Sequence, residues 1–284
     1  MKRIGFVGTE NSHVDHFIRF LNTEERHAGY HAEVLSGGEN ERNTKLASGG
    51  GITATVGEPT ELIGQVDGAI VATRDGGKHA EQAIPLLEAG VAVLVDKPLA
   101  ITVDEADKII AAAEKGNTTI VSSSALRFVP EMEQLKDESN GPVQHITVAG
   151  AADPDSEYSG LSFYGIHHIE TAFEILGNPT VQPGESKPYV VRDGDRTVAT
   201  VTIGDAVVTF VFVVPGEQKV PFHASVVRSG GVTASNLTLS KDYNAPSLQQ
   251  FVEHWEAGTS LAPDTLRSPI VVLESIMKEL EAQA

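Results

Sequence analysis

Five short apolar or β-branched runs, RIGFVG, HAEVLS, GAIVAT, AVLVD and TTIVSS, recur through roughly the first 120 residues with helix-patterned segments between them. This alternation constrains the fold more than any other feature of the chain. A strand, a helix and a second strand in one sheet close as a right-handed crossover, so repeated units build a parallel sheet covered by helices on both faces. Helical patterns are HVDHFIRFLNTEE, GKHAEQAIPLLEAG and TVDEADKIIAAAEKG; in the last, Thr102 is placed to cap the start, Glu105 follows three residues on, and Gly116 stops the helix. Ligands of such sheets gather beyond the carboxyl ends of the strands.

Beyond Pro142 the texture changes. VQHITVAGA, PYVVRD, TVATVTIG, AVVTFVFVV, FHASVVRS and TASNLTLS follow one another with Gly, Asp and Pro between them, interrupted by one clear helix, IHHIETAFEILG. Strands joined by short connections imply a mostly antiparallel sheet. The tail, PSLQQFVEHWEAG and SPIVVLESIMKELEAQ, is helical again and able to pack back on the first domain. The expectation is therefore an α/β chain: a Rossmann-type, doubly wound parallel sheet over residues 1–124, then an α+β domain with an open, mostly antiparallel sheet over residues 125–284.

The balance of 39 acidic against 21 basic residues, a formal charge of −18, repels nucleic-acid phosphates and anionic membrane surfaces, and no basic patch offsets it. Neither is expected as a partner. Without cysteine there is no disulfide, thiolate nucleophile or cysteine-held metal. No segment approaches the roughly 18 apolar residues of a membrane span, and the apolar run in MKRIGFVG is too short for a secretion signal, so a soluble, cytoplasmic protein is expected. The run VVTFVFVV puts large apolar side chains on both faces of a strand; helices can cover one face, and a second copy of the chain the other, in a homodimer or homotetramer.

The first strand ends at Gly8, where a dinucleotide fingerprint turns tightly, yet Glu10 and His13 stand where G-x-G-x-x-G has its second and third glycines. A carboxylate facing a pyrophosphate weakens binding. Thr9, Asn11 and Ser12, however, supply hydroxyl and amide groups at a helix start, where backbone N–H groups already favour anions. The second strand ends in Ser36-Gly37-Gly38 and lacks the acidic residue that usually holds the ribose 2′-hydroxyl; with Arg42 nearby, this favours NADP slightly over NAD. His13 and His16 form an H-x-x-H on the first helix, and two histidines at that spacing can share a metal.

The passage VATRDGGKHAEQAIPLLEAGVAVLVDKPLAITVDEADKIIAAAEKG resembles the glucose-fructose oxidoreductase, inositol dehydrogenase and MocA family, whose members carry Glu-Lys-Pro after the fifth strand and a Thr-Pro at the end of the strand before it. Here the motif reads Asp96-Lys97-Pro98, and Thr73 closes the upstream strand. LRFVP with Arg127, GIHHIE and LQQFVEHWEAG agree with the family in order and spacing. The resemblance implies an NAD(P)-dependent oxidoreductase acting on a secondary alcohol or ketone of a sugar, cyclitol or sugar acid. Thr73, Asp96, Lys97 and Pro98 would then line the cofactor with Gly8, Thr9, Asn11, Ser12, Ser36 and Arg42. Lys97 would also stabilise the alkoxide that develops as hydride leaves.

Setting the register on Gly165 aligns His167 with the family's catalytic histidine and puts Phe163 where the family has an aspartate that orients it. Tyr164, one residue later, offers a hydroxyl in its stead. Arg127, His168 and Glu170 would face the substrate, Glu170 matching the acidic residue at the motif's end. Two other readings stay open: a metal-dependent lyase or isomerase using His13, His16 and His167, and a ligand-binding or regulatory relative without redox catalysis.

Overall fold

The computed structural model describes residues 1–283 and divides into two compact units. The first comprises Met1–Ala100, Asp104–Ser123 and Asn244–Leu261; the second comprises Ile101–Val103, Ser124–Tyr243 and the chain from Ala262 onward.

The first unit holds strands β1 (Lys2–Val7), β2 (Tyr30–Ser36), β3 (Ala54–Val56), β4 (Gly68–Val71), β5 (Ala92–Val95) and β6 (Ile120–Val121). They lie in the order β3-β2-β1-β4-β5-β6 and every pair is parallel, the doubly wound arrangement that the alternating pattern predicts. Helices α1 (His13–Ile18), α2 (Asn40–Gly50), α3 (His79–Glu88) and α4 (Val103–Lys115) connect them. Strands β4 and β5 are buried at every residue, which explains why they read as unbroken apolar runs and not as alternating ones. Ile4, Phe6, Phe17, Phe20 and Leu35 form the centre of the core, and Leu248, Phe251 and Val252 complete it from a helix far along the chain, Ala245–Ala257. Trp255 of the same helix lies so close to Gly68 that a Cβ there would come within 2.6 Å of the indole.

The second unit adds α5 (Met132–Lys136), β7 (Val143–Ala151), α6 (Ser162–Ile175), β8 (Tyr189–Asp193), β9 (Arg196–Ile203), β10 (Ala206–Val213), β11 (His223–Arg228) and β12 (Gly231–Asn236). After them come α7, the helix Ala245–Ala257 already placed in the first unit, and α8 (Pro263–Glu281). The sheet order is β12-β11-β7-β10-β9-β8, antiparallel throughout except where β10 runs parallel to β7. The predicted mostly antiparallel sheet is therefore present. Helix α6 covers one face against β7 and β10, and α8 packs on α6 and β8. Leu266, Ile270, Leu273 and Ile276 form the buried stripe of α8 at helical spacing.

The strand VVTFVFVV does not distribute its bulk as expected. Val208, Phe210 and Phe212 all point to the helix-covered face and are fully buried, while Val207, Thr209 and Val211 occupy the other. Because side chains alternate with period two, both phenylalanines fall on one side. The open face is β-branched and hydroxyl-bearing: Thr209 aligns with Thr147 and Thr200, and its hydroxyl meets Thr200 at 3.3 Å and His145 Nε2 at 3.0 Å. Among the described residues, no helix is long and apolar enough to cross a membrane.

The assignment of α7 to the first core is testable. Phe251→Ala should destabilise the chain by about 3–5 kcal/mol in urea denaturation, the range for emptying a buried aromatic site, whereas Val232→Ala on the exposed strand β12 should stay within about 0.5 kcal/mol. Equal effects of the two substitutions would contradict it.

Candidate active site

In the first unit, the ends of β1, β4 and β5 converge. The chain leaves β1 through Gly8 at φ +81°, and a Cβ there would lie 2.1 Å from the backbone nitrogen of Thr73. Only glycine fits, because both the left-handed conformation and the passing β4 turn exclude a side chain. Close by, Thr9 Oγ1, Ser36 Oγ and Asn43 Oδ1 are buried without a hydrogen-bond partner, and a Cβ on Gly38 would come within 2.0 Å of the threonine oxygen. Buried polar atoms in a folded protein are almost always paired, so three orphaned oxygens around the ends of β1 and β2 mark a place built for a polar ligand. The glycine turn and the hydroxyls together fit a dinucleotide.

Glu10 and His13, in the place of the missing glycines, and Asn11 between them are all engaged. Glu10 accepts from the Arg74 backbone N–H at 3.0 Å through its carboxylate, and the Arg74 side chain donates to the Glu10 carbonyl at 3.2 Å. Asn11 donates to the Ala72 carbonyl at 2.8 Å and to Asp96 at 3.3 Å, and its own side-chain oxygen accepts from the His13 backbone N–H at 3.0 Å. His13 Nδ1 meets Asp96 Oδ2 at 2.6 Å, and Asp96 Oδ1 accepts from the Lys97 backbone N–H at 3.0 Å. Burial alone would push the Asp96 carboxyl up; the hydrogen bonds and charges of His13 and Lys97 outweigh it and hold the group well below the usual carboxylate range.

Asp96, Lys97 and Pro98 are buried, and the Lys97–Pro98 peptide is cis. His79 fixes this turn from below, its two ring nitrogens lying 2.7 Å from the carbonyls of Pro98 and Thr73. Thr73 itself donates to Gln82 at 2.8 Å. His79 escaped assignment from sequence, although it is the histidine of the H-A-x-x-A run that opens α3.

Arg42 does not reach into open space beside Ser36. It pairs with Asp15 through two nitrogens, one at 2.9 Å, and donates to the carbonyls of Thr9 at 2.8 Å and Asn11 at 3.3 Å. Partial burial pushes the Asp15 carboxyl up, but the hydrogen bond and charge of Arg42 prevail and the net shift is downward. Ser12 is exposed at the start of α1 and makes no capping bond through its side chain. His16 stacks on His13 with centroids 6.4 Å apart and meets the Asn244 side chain at 3.2 Å. Among the described residues, no three His, Cys, Asp or Glu side chains gather to hold a metal ion, so the metal-dependent reading gains no support.

In the second unit, His167, Glu170 and Glu174 form one stripe of α6 at i, i+3 and i+7. This stripe meets the turn Ser124–Phe128. Ser124 Oγ lies 2.6 Å from His167 Nδ1, and the Ser124 N–H donates to Glu170 at 2.8 Å. Arg127 pairs with the same Glu170 oxygen and donates to Glu174 at 3.2 Å and to Asn178 at 2.7 Å. Arg127 and Glu170, expected to face substrate, are instead buried against each other. Tyr164 is exposed, its ring 5.7 Å from that of His167, and Phe163 packs between Tyr158 and Tyr164.

His168 was also expected at the substrate, and the structure buries it completely. Its ring packs edge-on to Phe212 and Phe222, at 4.8 and 5.3 Å between centroids. Its nitrogens face the backbone of Tyr164, Gly150 and Val211 without a contact of proper hydrogen-bond geometry, and desolvation pushes the imidazole down to about 4. His168 is a neutral core residue. Ser124 is the partner that sequence reasoning missed, since a serine closing strand β6 carries no signal of what it will touch.

The parallel sheet, its glycine turn and the Lys97 turn define a Rossmann-type α/β protein joined to an α+β unit. The GFO_IDH_MocA model, an oxidoreductase family with an NAD-binding Rossmann fold, matches residues 2–123, so the first part of the chain is similar to this family. It is 25% identical over 197 residues to inositol 2-dehydrogenase 3 of Saccharopolyspora erythraea, covering 66% of this chain and 57% of that protein. It is 33% identical over 84 residues to the rhizopine catabolism protein MocA of Rhizobium meliloti, 30% of this chain and 26% of that one. Little more than half of the first relative, and about a quarter of the second, is thus spanned. The fold matches the crystal structure of GenD2 from gentamicin A biosynthesis in complex with NAD, with a TM-score of 0.84 at 17% identity over 100% of this chain and 95% of that one. It also matches myo-inositol 2-dehydrogenase from Lactobacillus plantarum, with a TM-score of 0.82 at 14% identity over 99% and 98%.

The Asp96 network predicts a specific acid response. A carboxyl held below its unfolded value contributes stability that is fully present above about pH 4 and is lost as pH falls through the folded value. Asp96→Asn should therefore cost on the order of 3 kcal/mol at pH 7, with the gap to the parent chain narrowing below about pH 4. Urea denaturation between pH 3 and 7 measures it, and a gap that does not change with pH would refute the assignment.

Proposed function

We propose that the protein is an NAD-dependent oxidoreductase acting on a secondary alcohol or ketone of a sugar, cyclitol or sugar acid. The observation that carries this reading is the glycine turn at Gly8 beside the orphaned oxygens of Thr9 and Ser36, the features a dinucleotide would satisfy. Gly8, Thr9, Asn11, Ser36 and Thr73 would hold the cofactor, with Asp96 and Pro98 shaping the Lys97 turn. When bound, the nicotinamide supplies the hydride acceptor or donor. Lys97 orients the substrate oxygen and stabilises its negative charge; His167 takes or returns the hydroxyl proton, with Tyr164 beside it. The lean toward NADP is replaced by NAD, because the guanidinium of Arg42 is already engaged by Asp15 and two carbonyls. The carbohydrate-like substrate class draws on the relatives named inositol dehydrogenases.

Lys97→Met keeps most of the side-chain volume and removes the charge. Nucleotide binding measured by calorimetry should persist, NAD binding more tightly than NADP, while turnover across a panel of cyclitols and sugars falls by about 100-fold or more. The reading is abandoned if neither nucleotide binds at millimolar concentration, or if the variant keeps full turnover.

The assembly follows from the open sheet face. Thr147, Thr200, Thr209, Val207 and Val211 are half-exposed or exposed on one face of the sheet, and we infer that a second copy covers them in a homodimer or larger symmetric assembly. Thr209→Arg, at the centre of that face, should shift light scattering toward monomer. A parent chain that is monomeric at every concentration would sink this idea.

A further inference from the structure

We propose that Ser124 is the positioning residue of His167, doing with a neutral hydroxyl what an aspartate at position 163 would do with a charge. The inference rests on the reading of His167 as the proton-transfer group, and its physical content lies in one contact, Ser124 Oγ to His167 Nδ1 at 2.6 Å. That hydroxyl is fixed from its own backbone. Ser124 is fully buried in extended conformation, its oxygen accepts from the Leu126 N–H at 3.2 Å, and its N–H is anchored on Glu170, itself paired with Arg127. The alternative orienting residue is absent, because Phe163 packs into an aromatic cluster with Tyr158 and Tyr164.

The chemistry differs from that of a carboxylate. With one lone pair taken by Leu126, the serine oxygen retains one acceptor site and one O–H donor. It can accept from Nδ1–H, which puts the basic lone pair on Nε2, or donate to a bare Nδ1 when Nε2 carries the proton. A carboxylate only accepts and would lock the first tautomer while favouring the imidazolium by its charge. Once the ring has taken a proton, only the first arrangement exists, and the contact becomes a charge-assisted hydrogen bond. Ser124 therefore holds the ring plane in both directions of reaction without adding a charge beside it. Titratable and charged groups near the ring within this unit include Tyr164 on its own helix and the Arg127–Glu170 pair behind Ser124; Phe222, 5.5 Å away, is apolar.

The test is a nitrogen-15 NMR titration of the full chain, with the His167 ring signals assigned by their loss in His167→Gln. Ser124→Ala should move the Nδ1 shift and the titration midpoint, Ser124→Thr should restore both, and Ser124→Asp should raise the midpoint by about one pH unit or more, as a carboxylate partner does. Should the aspartate variant fail to fold, the alanine and threonine pair decides. Unchanged His167 shifts and midpoint in Ser124→Ala would overturn the proposal. With myo-inositol and NAD as the assay probe, Ser124→Ala should lower kcat about tenfold with little change in KM and displace the pH profile, a smaller loss than the roughly 100-fold or more expected for removing the proton-transfer group itself. If His167→Asn kept full turnover while the NMR contact held, the catalytic reading would fail and the positioning would stand.

Discussion

Burying the Asp96 carboxylate is unfavourable by itself, and the loops at the carboxyl ends of the first sheet are arranged so that it is never alone. One oxygen takes His13 and Asn11, the other takes the backbone N–H of Lys97. A buried charge with several donors is tolerated, whereas one stripped of a partner is strongly destabilising. This requirement accounts for part of the departure from the glycine fingerprint. A glycine at position 13 could not reach Asp96, and a glycine at position 10 would have no carboxylate to accept from the Arg74 N–H. The chain keeps glycine only at Gly8, where the β4 backbone passes too close for a side chain, and uses side chains elsewhere to join the ends of β1, β4 and β5 into one rigid surface.

The second unit solves a similar problem with a different balance. The turn after β6 is held on α6 by a buried Arg127–Glu170 pair, extended to Glu174 and Asn178. Within that charged frame, the Ser124 hydroxyl that meets His167 is neutral. A carboxylate in direct contact would bias an imidazole toward its protonated form, whereas here the Glu170 carboxylate is paired with Arg127 and meets the Ser124 N–H.

Much of this architecture could be read from sequence, and the failures have definite causes. The strand and helix alternation specified the parallel sheet because strands buried on both faces leave continuous apolar runs, as β4 and β5 do. The Gly8 turn was visible as the glycine closing the first strand, and the Asp96-Lys97-Pro98 motif through its resemblance to the family's Glu-Lys-Pro. What sequence could not supply was direction. His167 and His168 are adjacent, yet one residue of helix rotation turns the first to Ser124 and the second into the Phe212 and Phe222 packing. Phe210 and Phe212 share a face because they are two apart, so the apparent two-sided bulk of β10 was an artefact of counting residues without assigning faces. The helical tail divides, α7 joining the first core and α8 the second, a choice fixed by which apolar stripe finds a matching surface.

Arg42 shows most clearly how a residue can have the right type and position and still serve another purpose. By spacing it lies where a ribose 2′-phosphate would be met, but Asp15, 27 residues away, takes its guanidinium in a two-point contact. An ion pair that is partly open to solvent contributes little by itself, commonly less than about 1 kcal/mol. The same guanidinium also donates to the carbonyls of Thr9 and Asn11, on the turn that the Asp96 network holds from the other side. Turning Arg42 toward a phosphate would therefore release Asp15 and two backbone acceptors together and loosen the loop expected to cradle the pyrophosphate. Arg42 is in this way one of the residues that keep the β1 turn in shape.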